Sequence, residues 1–246
     1  MGRHVLKYQV GVTPAMLKDL LNEYKNTERP FKIKLLGDSI THGVSGTGFC
    51  QNGKHIIANF SRNPDGFCWA KLFKEYMEEN YNCTVENNAC TGTNIEFVIR
   101  NFDTLVDEDD DFVICTIGTN NRHQYKNTGE KKERSEFAGA FYDNILKLNE
   151  IFLSKAKRVV LIANIPAQNE QDGEDFWRIL HMDDINALYK QAQEKAGFYF
   201  ISMYDIFSEY LKENGVELGS LLKDGLHPND EGYKVMFGLI KNALGV

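Results

Sequence analysis

The chain has 246 residues, of which 42% are hydrophobic and 26% charged, and its formal net charge at pH 7 is −7. A chain of this length and ordinary composition can bury one sizeable core, which is typical of a globular domain. The acidic balance argues against a general nucleic-acid binder, which needs a basic surface, and against attachment to anionic membranes.

Cysteine spacing and the first residues bear on the compartment and on cofactors. The five cysteines are odd in number and lack C-x-x-C spacing, so neither a disulfide framework nor a zinc site is predicted. We expect free thiols, no bound metal and no cofactor. The chain begins without an apolar signal segment, and none of its apolar runs is long enough to span a membrane. We therefore expect a cytoplasmic protein, or a secreted one if a leader was removed.

The N-terminal segment predicts a helix ahead of the main domain. Thr13 is a favourable N-cap, Pro14 suits the first helical position, and apolar residues then recur at helical spacing up to Tyr24. We expect residues 1–29 to form an extension whose helix packs on the main domain, residues 30–246.

Apolar segments and turn residues then alternate along the chain. The predicted strands cover residues 31–36, 84–89, 112–117, 158–163 and 198–201. The predicted helices cover residues 67–79, 94–105, a long segment that ends near 153, 184–196, 206–213 and a last segment that starts near 229. Apolar strands that alternate with helices indicate a parallel sheet covered on both faces. The predicted fold is therefore α/β, a three-layer α/β/α sandwich with a central, mostly parallel sheet of five strands.

Polar segments follow three of the predicted strands. They are residues 37–41, 89–94 and 118–121. In open α/β sheets, ligand sites form beyond the carboxyl ends of the strands. We therefore expect these three segments to meet at one edge of the sheet.

Two short segments, one after the first predicted strand and one before the last predicted helix, contain the side chains that serine catalysis requires. Ser39 follows the first predicted strand, and Asp224 precedes His227 by three residues, just before the last helix. A serine hydroxyl becomes a good nucleophile when a base takes its proton, and His227 is the best candidate base. Asp224 can accept the Nδ1–H of His227 and leave Nε2 free for Ser39. Taken alone, each motif also fits an ordinary turn or helix cap.

Three N–H groups could stabilise the negative charge that develops during such a reaction. Asn120 offers a side-chain amide, Gly92 offers a backbone N–H without a Cβ beside it, and Ser39 offers its own backbone N–H. Donors of this kind form the oxyanion hole of acyl-transfer enzymes.

Four sequence blocks together resemble the SGNH hydrolases, also called GDSL esterases or lipases. The blocks are residues 37–41 (Gly-Asp-Ser-Ile-Thr), 88–92 (Asn-Ala-Cys-Thr-Gly), 118–121 (Gly-Thr-Asn-Asn) and 224–228 (Asp-Gly-Leu-His-Pro). The third block commonly ends in Asp in that family, where this chain has Asn121, and the second block is loosely defined. The resemblance implies the flavodoxin-like SGNH fold and ester hydrolysis through an acyl-enzyme without a metal or cofactor.

The resemblance also implies roles for individual residues of this chain. Ser39, Asp224 and His227 would form the catalytic triad. The Ser39 N–H, Gly92 and Asn120 would form the oxyanion hole.

The substrate should depend on the loops at the edge of the site, residues 44–65, 122–136 and 167–177. These loops are polar with scattered aromatic residues, which suits a sugar better than a lipid. We therefore expect an O-acetyl esterase whose partner is a small-molecule or oligosaccharide ester. The candidate substrate contacts are Asp38, Asn121, Arg122, His123 and Trp177. Arg122, His123 and Trp177 also fit ordinary loop residues, and Asp38 fits a structural role in bonding the local backbone better than a chemical one.

Two other functions fit the same motifs. A lysophospholipase or thioesterase for longer acyl chains would show an apolar pocket beside Ser39. A non-catalytic binding protein with the SGNH fold would hold Ser39 and His227 too far apart for a hydrogen bond. The sequence makes no prediction of the oligomeric state.

Overall fold

The structure is a computed structural model that describes residues 14–50, 53–54, 57, 61–62, 66–155 and 157–246. The predicted N-cap Thr13 and the first part of the predicted extension lie outside the described residues, as does much of the loop predicted at 44–65. Among the described residues, none of the helices combines the length and the apolar character that crossing a membrane requires.

The strands of the described residues are, in chain order, β1 (Phe31–Gly37), β2 (Gly53–Lys54), β3 (Ser61–Arg62), β4 (Cys83–Asn87), β5 (Phe112–Thr116), β6 (His123–Tyr125), β7 (Arg158–Ala163), β8 (Phe176–Arg178) and β9 (Tyr199–Ser202). The α-helices are α1 (Pro14–Glu23), α2 (Ser39–His42), α3 (Trp69–Asn80), α4 (Ile95–Arg100), α5 (Phe102–Leu105), α6 (Arg134–Ser154), α7 (Met182–Ala196), α8 (Met203–Asn214), α9 (Leu218–Leu221) and α10 (Asp230–Leu244). Two 3₁₀ helices cover Thr119–Arg122 and Lys126–Thr128.

The central sheet has five strands in the order β4-β1-β5-β7-β9, and each neighbouring pair is parallel. This arrangement confirms the predicted α/β fold with a parallel five-stranded sheet. The chain runs from β1 to β4 on one side and then returns to β5 on the other side of β1. The strand order therefore reverses between β1 and β5, where ligand sites of open α/β sheets form.

Alternate side chains of the sheet enter two separate apolar cores. In β5, Phe112 and Ile114 belong to the core that includes buried residues of α1, α3, α8 and α10. Val113 and Cys115 belong to the opposite core, which includes buried residues of α4 to α7. Both faces of β5 are thus buried, which explains why its sequence is an unbroken apolar run.

Capping side chains decide where several helices begin. Cys68 caps α3, so this helix begins at Trp69 instead of the expected residue 67. Ser202 accepts a hydrogen bond from the Asp205 N–H and starts α8 at Met203, three residues before the expected start. The helix expected over 94–105 is divided, because Asn101 ends α4 and precedes α5.

Two short antiparallel pairs lie outside the main sheet and were not predicted. Strand β2 pairs with β3 inside the long loop, and β6 pairs with β8. The β6–β8 pair joins two of the loops expected to surround the site. Those two loops therefore form one structural unit beyond the carboxyl edge of the sheet.

The side chains of β5, the middle strand of the sheet, should contribute strongly to the free energy of unfolding. Ile114 is fully buried, whereas Leu153 near the end of α6 is 41% exposed. Ile114→Ala should lower the free energy of unfolding in urea by about 2–5 kcal/mol, because it leaves a cavity. Leu153→Ala should change it by about 0.5 kcal/mol or less. Equal losses in the two variants would contradict this description of the core.

Candidate active site

Ser39 lies in a tight turn at the carboxyl end of β1. It is the first residue of α2, and Asp38 caps this helix by accepting a hydrogen bond from the Ile40 N–H at 3.0 Å. The turn requires Gly37, since a Cβ there would lie 2.4 Å from Thr41 Oγ1 and 2.8 Å from the Thr116 carbonyl oxygen. The sequence after β1 therefore holds Ser39 at the edge of the sheet.

His227 and Asp224 approach Ser39 from the segment between α9 and α10. The distance between His227 Nε2 and Ser39 Oγ is 2.8 Å, and the distance between His227 Nδ1 and Asp224 Oδ2 is 2.7 Å. The other oxygen of Asp224 accepts hydrogen bonds from the backbone N–H groups of Leu226 at 3.0 Å and His227 at 2.8 Å. Since Ser39 and His227 are within hydrogen-bond reach, the separation expected of a non-catalytic binding protein is not observed.

The charge of Asp224 suits a group that orients histidine. Partial burial raises the pKa of Asp224, but hydrogen bonds from the backbone and imidazole of His227 and from the Leu226 N–H outweigh burial, so the net pKa is lowered. The carboxylate is therefore ionised at neutral pH and accepts the Nδ1–H of His227. This tautomer leaves the Nε2 lone pair directed at the hydroxyl of Ser39.

The two expected oxyanion donors follow the strands on either side of β1. Gly92 follows β4 and has φ of +77°, a backbone conformation that favours glycine. Asn120 follows β5, and its amide donates one hydrogen bond to the Thr93 carbonyl at 2.7 Å. An amide carries two N–H groups, so this bond leaves one for a ligand. The structure therefore brings Ser39, Gly92 and Asn120 to the ends of adjacent strands.

A buried polar network lies beneath Ser39 and was missed in the sequence. Asn164 Nδ2 donates to Asp38 Oδ2 at 2.9 Å and to Thr119 Oγ1 at 2.6 Å. Burial raises the pKa of Asp38, although hydrogen bonds from Ile40 and Thr119 oppose the shift. This network ties together the ends of β1, β5 and β7. Asn164 could have been found from the sequence, since it directly follows the apolar strand β7.

A second unpredicted contact links α2 to the Gly92 loop. His42 Nδ1 lies 2.7 Å from Thr91 Oγ1. His42 is three residues after Ser39, and Thr91 directly precedes Gly92. The helix that begins at Ser39 and the loop that contains Gly92 are thus connected through these two side chains.

Three expected substrate contacts are buried. Asp38 is fully buried, Arg122 is 1% exposed and Asn121 is 6% exposed, which favours supporting roles for these side chains. Their contact with a substrate stays a prediction. Asn121 instead accepts a hydrogen bond from the Ile95 N–H at 2.9 Å and donates to Glu96 at 2.8 Å. All three support the backbone around the site. The hydrogen bond that Asp38 accepts from the Ile40 N–H is a bond to the local backbone, as the structural alternative for Asp38 expects.

The remaining expected contacts lie on the β6–β8 pair. His123 and Trp177 are partly exposed and occupy neighbouring strands. Direct contact of either residue with a substrate stays a prediction. Burial, with the nearby Arg178 and Arg122, lowers the pKa of His123 to about 4, so its ring is neutral at neutral pH.

Most of the chain matches one protein family. A model of the GDSL-like Lipase/Acylhydrolase family matches residues 35–235. No curated protein sequence matches the chain.

Solved structures with the same fold include several esterases. Axe2, an acetylxylan esterase from Geobacillus stearothermophilus, has a TM-score of 0.63 at 19% identity, over 89% of this chain and 97% of that one. A variant of Axe2, an acetyl-xylooligosaccharide esterase, has a TM-score of 0.64 at 19% identity with the same coverage. A two-domain esterase active on acetylated mannans has a TM-score of 0.63 at 19% identity, over 95% of this chain and 53% of that one. At this identity the likeness establishes the shared fold.

The neutral state of His123 makes stability depend on pH. The pKa of His123 is about 4 in the folded chain, below its ordinary 6.5, so the unfolded chain takes up this proton first as the pH falls. The contribution is complete above about pH 6.5 and is lost progressively towards about pH 4. Urea unfolding across this range should show a smaller loss of stability in His123→Gln than in the wild type. Parallel pH profiles would contradict the assignment.

Proposed function

Because the chain belongs to the GDSL-like lipase/acylhydrolase family and is an SGNH-type serine ester hydrolase, we propose that it removes O-acetyl groups from carbohydrate by an acyl-enzyme route. The contact between Ser39 Oγ and His227 Nε2 at 2.8 Å carries this proposal. It joins a nucleophile to a base whose other nitrogen is held by Asp224.

In the first step, His227 Nε2 takes the hydroxyl proton of Ser39 while Oγ attacks the carbonyl carbon of the ester. The carbonyl oxygen becomes an oxyanion, and the N–H groups of Ser39, Gly92 and Asn120 are the proposed donors to it. When the C–O bond to the sugar breaks, protonated His227 returns its proton to the sugar oxygen. The products are a free sugar hydroxyl and an acetyl ester on Ser39.

In the second step, water hydrolyses the acetyl ester on Ser39. His227 takes a proton from the water, the resulting oxyanion uses the same donors, and acetate leaves as Ser39 regains its proton.

The proposed roles of the triad have support from the structural neighbours. Variants of Axe2 that are described as catalytic replace a serine, and an aspartate and a histidine that lie three residues apart. Asp224 and His227 have the same spacing here, and Ser39 lies in the first of the four blocks that resemble the family. The chain therefore has the three residue types that these variants concern.

The carbohydrate part of the proposal has two supports. The neighbours include esterases of acetylated xylan and acetylated mannan. The β6–β8 pair presents aromatic side chains beyond the edge of the sheet, among them Tyr125, which is 53% exposed, and partly exposed Trp177. Aromatic rings with polar groups beside them suit the apolar faces and hydroxyl groups of sugars.

Ester hydrolysis should depend on Ser39 and on a short acyl chain. We expect the wild type to release acetate from acetylated xylo-oligosaccharides and to cleave p-nitrophenyl acetate faster than the octanoate. Ser39→Ala should lower kcat on the order of 10⁶-fold, because the nucleophile is absent. The measurement is acetate release and p-nitrophenolate absorbance at matched enzyme concentrations.

The matched control for this experiment is Ser154→Ala. Ser154 is an exposed serine at the end of α6. This variant should have wild-type rates. Rates that rise with acyl length would instead favour a lysophospholipase or thioesterase. If no ester is cleaved in a Ser39-dependent manner, catalysis by this site is refuted.

Asn120 should contribute to the transition state more than to substrate binding. Asn120→Ala removes a proposed oxyanion donor, so kcat on p-nitrophenyl acetate should fall about 10²–10³-fold. KM should change little, because the oxyanion forms only after substrate has bound. A higher KM with unchanged kcat would show that Asn120 binds the ground state instead.

A further inference from the structure

We infer that Arg122 and Glu170 form a clamp that positions the Asp224–His227 segment against the 3₁₀ helix Thr119–Arg122. This helix contains the proposed oxyanion donor Asn120 and is called the oxyanion-hole helix below. The inference rests on the proposed function, because it concerns the alignment of the same triad. Arg122 and Glu170 act through other groups and do not touch the substrate.

The first half of the clamp is the end of the 3₁₀ helix that carries Asn120. Arg122 is the last residue of this helix, and its Nε donates to the Thr119 carbonyl at 2.9 Å. Its own carbonyl accepts hydrogen bonds from the N–H groups of Ile179 and Leu180, both at 2.9 Å. The guanidinium is thus fixed to the helix that holds Asn120.

The second half of the clamp is the loop at 168–170. Arg122 Nη1 donates to Glu170 Oε2 at 2.7 Å and lies 3.4 Å from the Asn169 carbonyl oxygen. The other oxygen of Glu170 accepts from the N–H of Met182, the first residue of α7, at 3.0 Å. One carboxylate therefore joins the oxyanion-hole helix, this loop and the start of α7.

The loop in turn holds the segment that carries Asp224 and His227. The N–H groups of Gln168 and Asn169 both donate to the Gly225 carbonyl, at 2.8 Å and 3.1 Å. Gly225 directly follows Asp224 and has φ of +79°, a conformation that favours glycine. The positions of both triad members on this segment thus depend on where the clamped loop lies.

Burial makes the pairing of charges in the clamp important. Burial and nearby Arg178 lower the pKa of Arg122 to about 10, against the opposing effect of Glu170, so the guanidinium stays charged at neutral pH. Two further charged groups act near the clamp: Asp38, whose charge raises the pKa of Arg122, and Arg178, whose Nε lies 4.0 Å from Glu170 Oε2. Loss of the Glu170 charge would leave the guanidinium groups of Arg122 and Arg178 without this negative partner. The loop could then shift and carry Gly225 with it.

The clamp predicts a defect in kcat when its charge is removed. Glu170→Gln keeps the size of the side chain and an acceptor for the Met182 N–H. Its kcat on p-nitrophenyl acetate should fall about 10- to 100-fold, because small misplacements of catalytic groups have effects of this size. KM should stay within about threefold, since no substrate contact is lost. The control is Glu174→Gln, the same change at an exposed position of the same loop, which should have wild-type kinetics.

A double variant separates positioning from stability. Arg122→Met combined with Glu170→Gln removes the uncompensated buried charge, so the unfolding temperature should return towards that of the wild type. Its kcat should stay low, because the loop is no longer tied to the Asn120 helix. A double variant whose kcat recovers to within twofold of wild type would overturn the inference, as would wild-type kcat in Glu170→Gln.

A signal that does not depend on turnover separates this inference from the proposed function. The proton shared by His227 Nδ1 and Asp224 should give a strongly downfield NMR resonance in the wild type, identified by its absence in His227→Gln. It should broaden or disappear in Glu170→Gln and persist in Glu174→Gln. A wild type that shows this pattern but cleaves no ester would refute the proposed function and support the clamp. An unchanged resonance in Glu170→Gln would refute the clamp.

Discussion

The parallel alignment of the central strands is the constraint on which the site depends. Ser39 follows β1, Gly92 follows β4 and Asn120 follows β5, so only a shared strand direction brings these groups to one edge. Asn164 follows β7 and ties its end to the ends of β1 and β5, through hydrogen bonds of 2.9 Å and 2.6 Å beneath Ser39. His227 then reaches Ser39 across 188 residues of sequence. A slip of one residue in β1 would reverse its buried faces and move Ser39 away from this edge.

Much of the scaffold could be predicted because its determinants are local. A strand buried on both faces is an unbroken apolar run, as in residues 158–163, and helices repeat apolar residues at helical spacing. The sheet was predicted correctly on this basis, and the family was predicted correctly from the four short sequence blocks. The candidate triad could be found because Asp224 and His227 are only three residues apart and Ser39 lies in a short block. The strand ends then limited which groups could meet Ser39.

The parts that could not be predicted depend on contacts between distant segments. Strands β6 and β8 have three residues each, too few for an alternating pattern, and they pair across about 50 residues of sequence. Arg122 follows the Asn120 block as a polar loop residue, and polar side chains in loops are usually exposed. It can be buried because the carboxylate of Glu170, 48 residues away, balances its charge and accepts its hydrogen bond. A pattern read along the chain carries no information about such a partner, so the ion pair of Arg122 with Glu170 could not be predicted.

The proposal that Ser39 is acylated during turnover can be tested by rapid-quench mass spectrometry. The protein would be mixed with an acetylated xylo-oligosaccharide, quenched in acid within the first turnovers and digested. The account predicts a transient gain of one acetyl group on the peptide that contains Ser39, which appears before steady state and decays once substrate is exhausted. Acetate release without an acetylated Ser39, or with the acetyl group on another residue, would contradict the account.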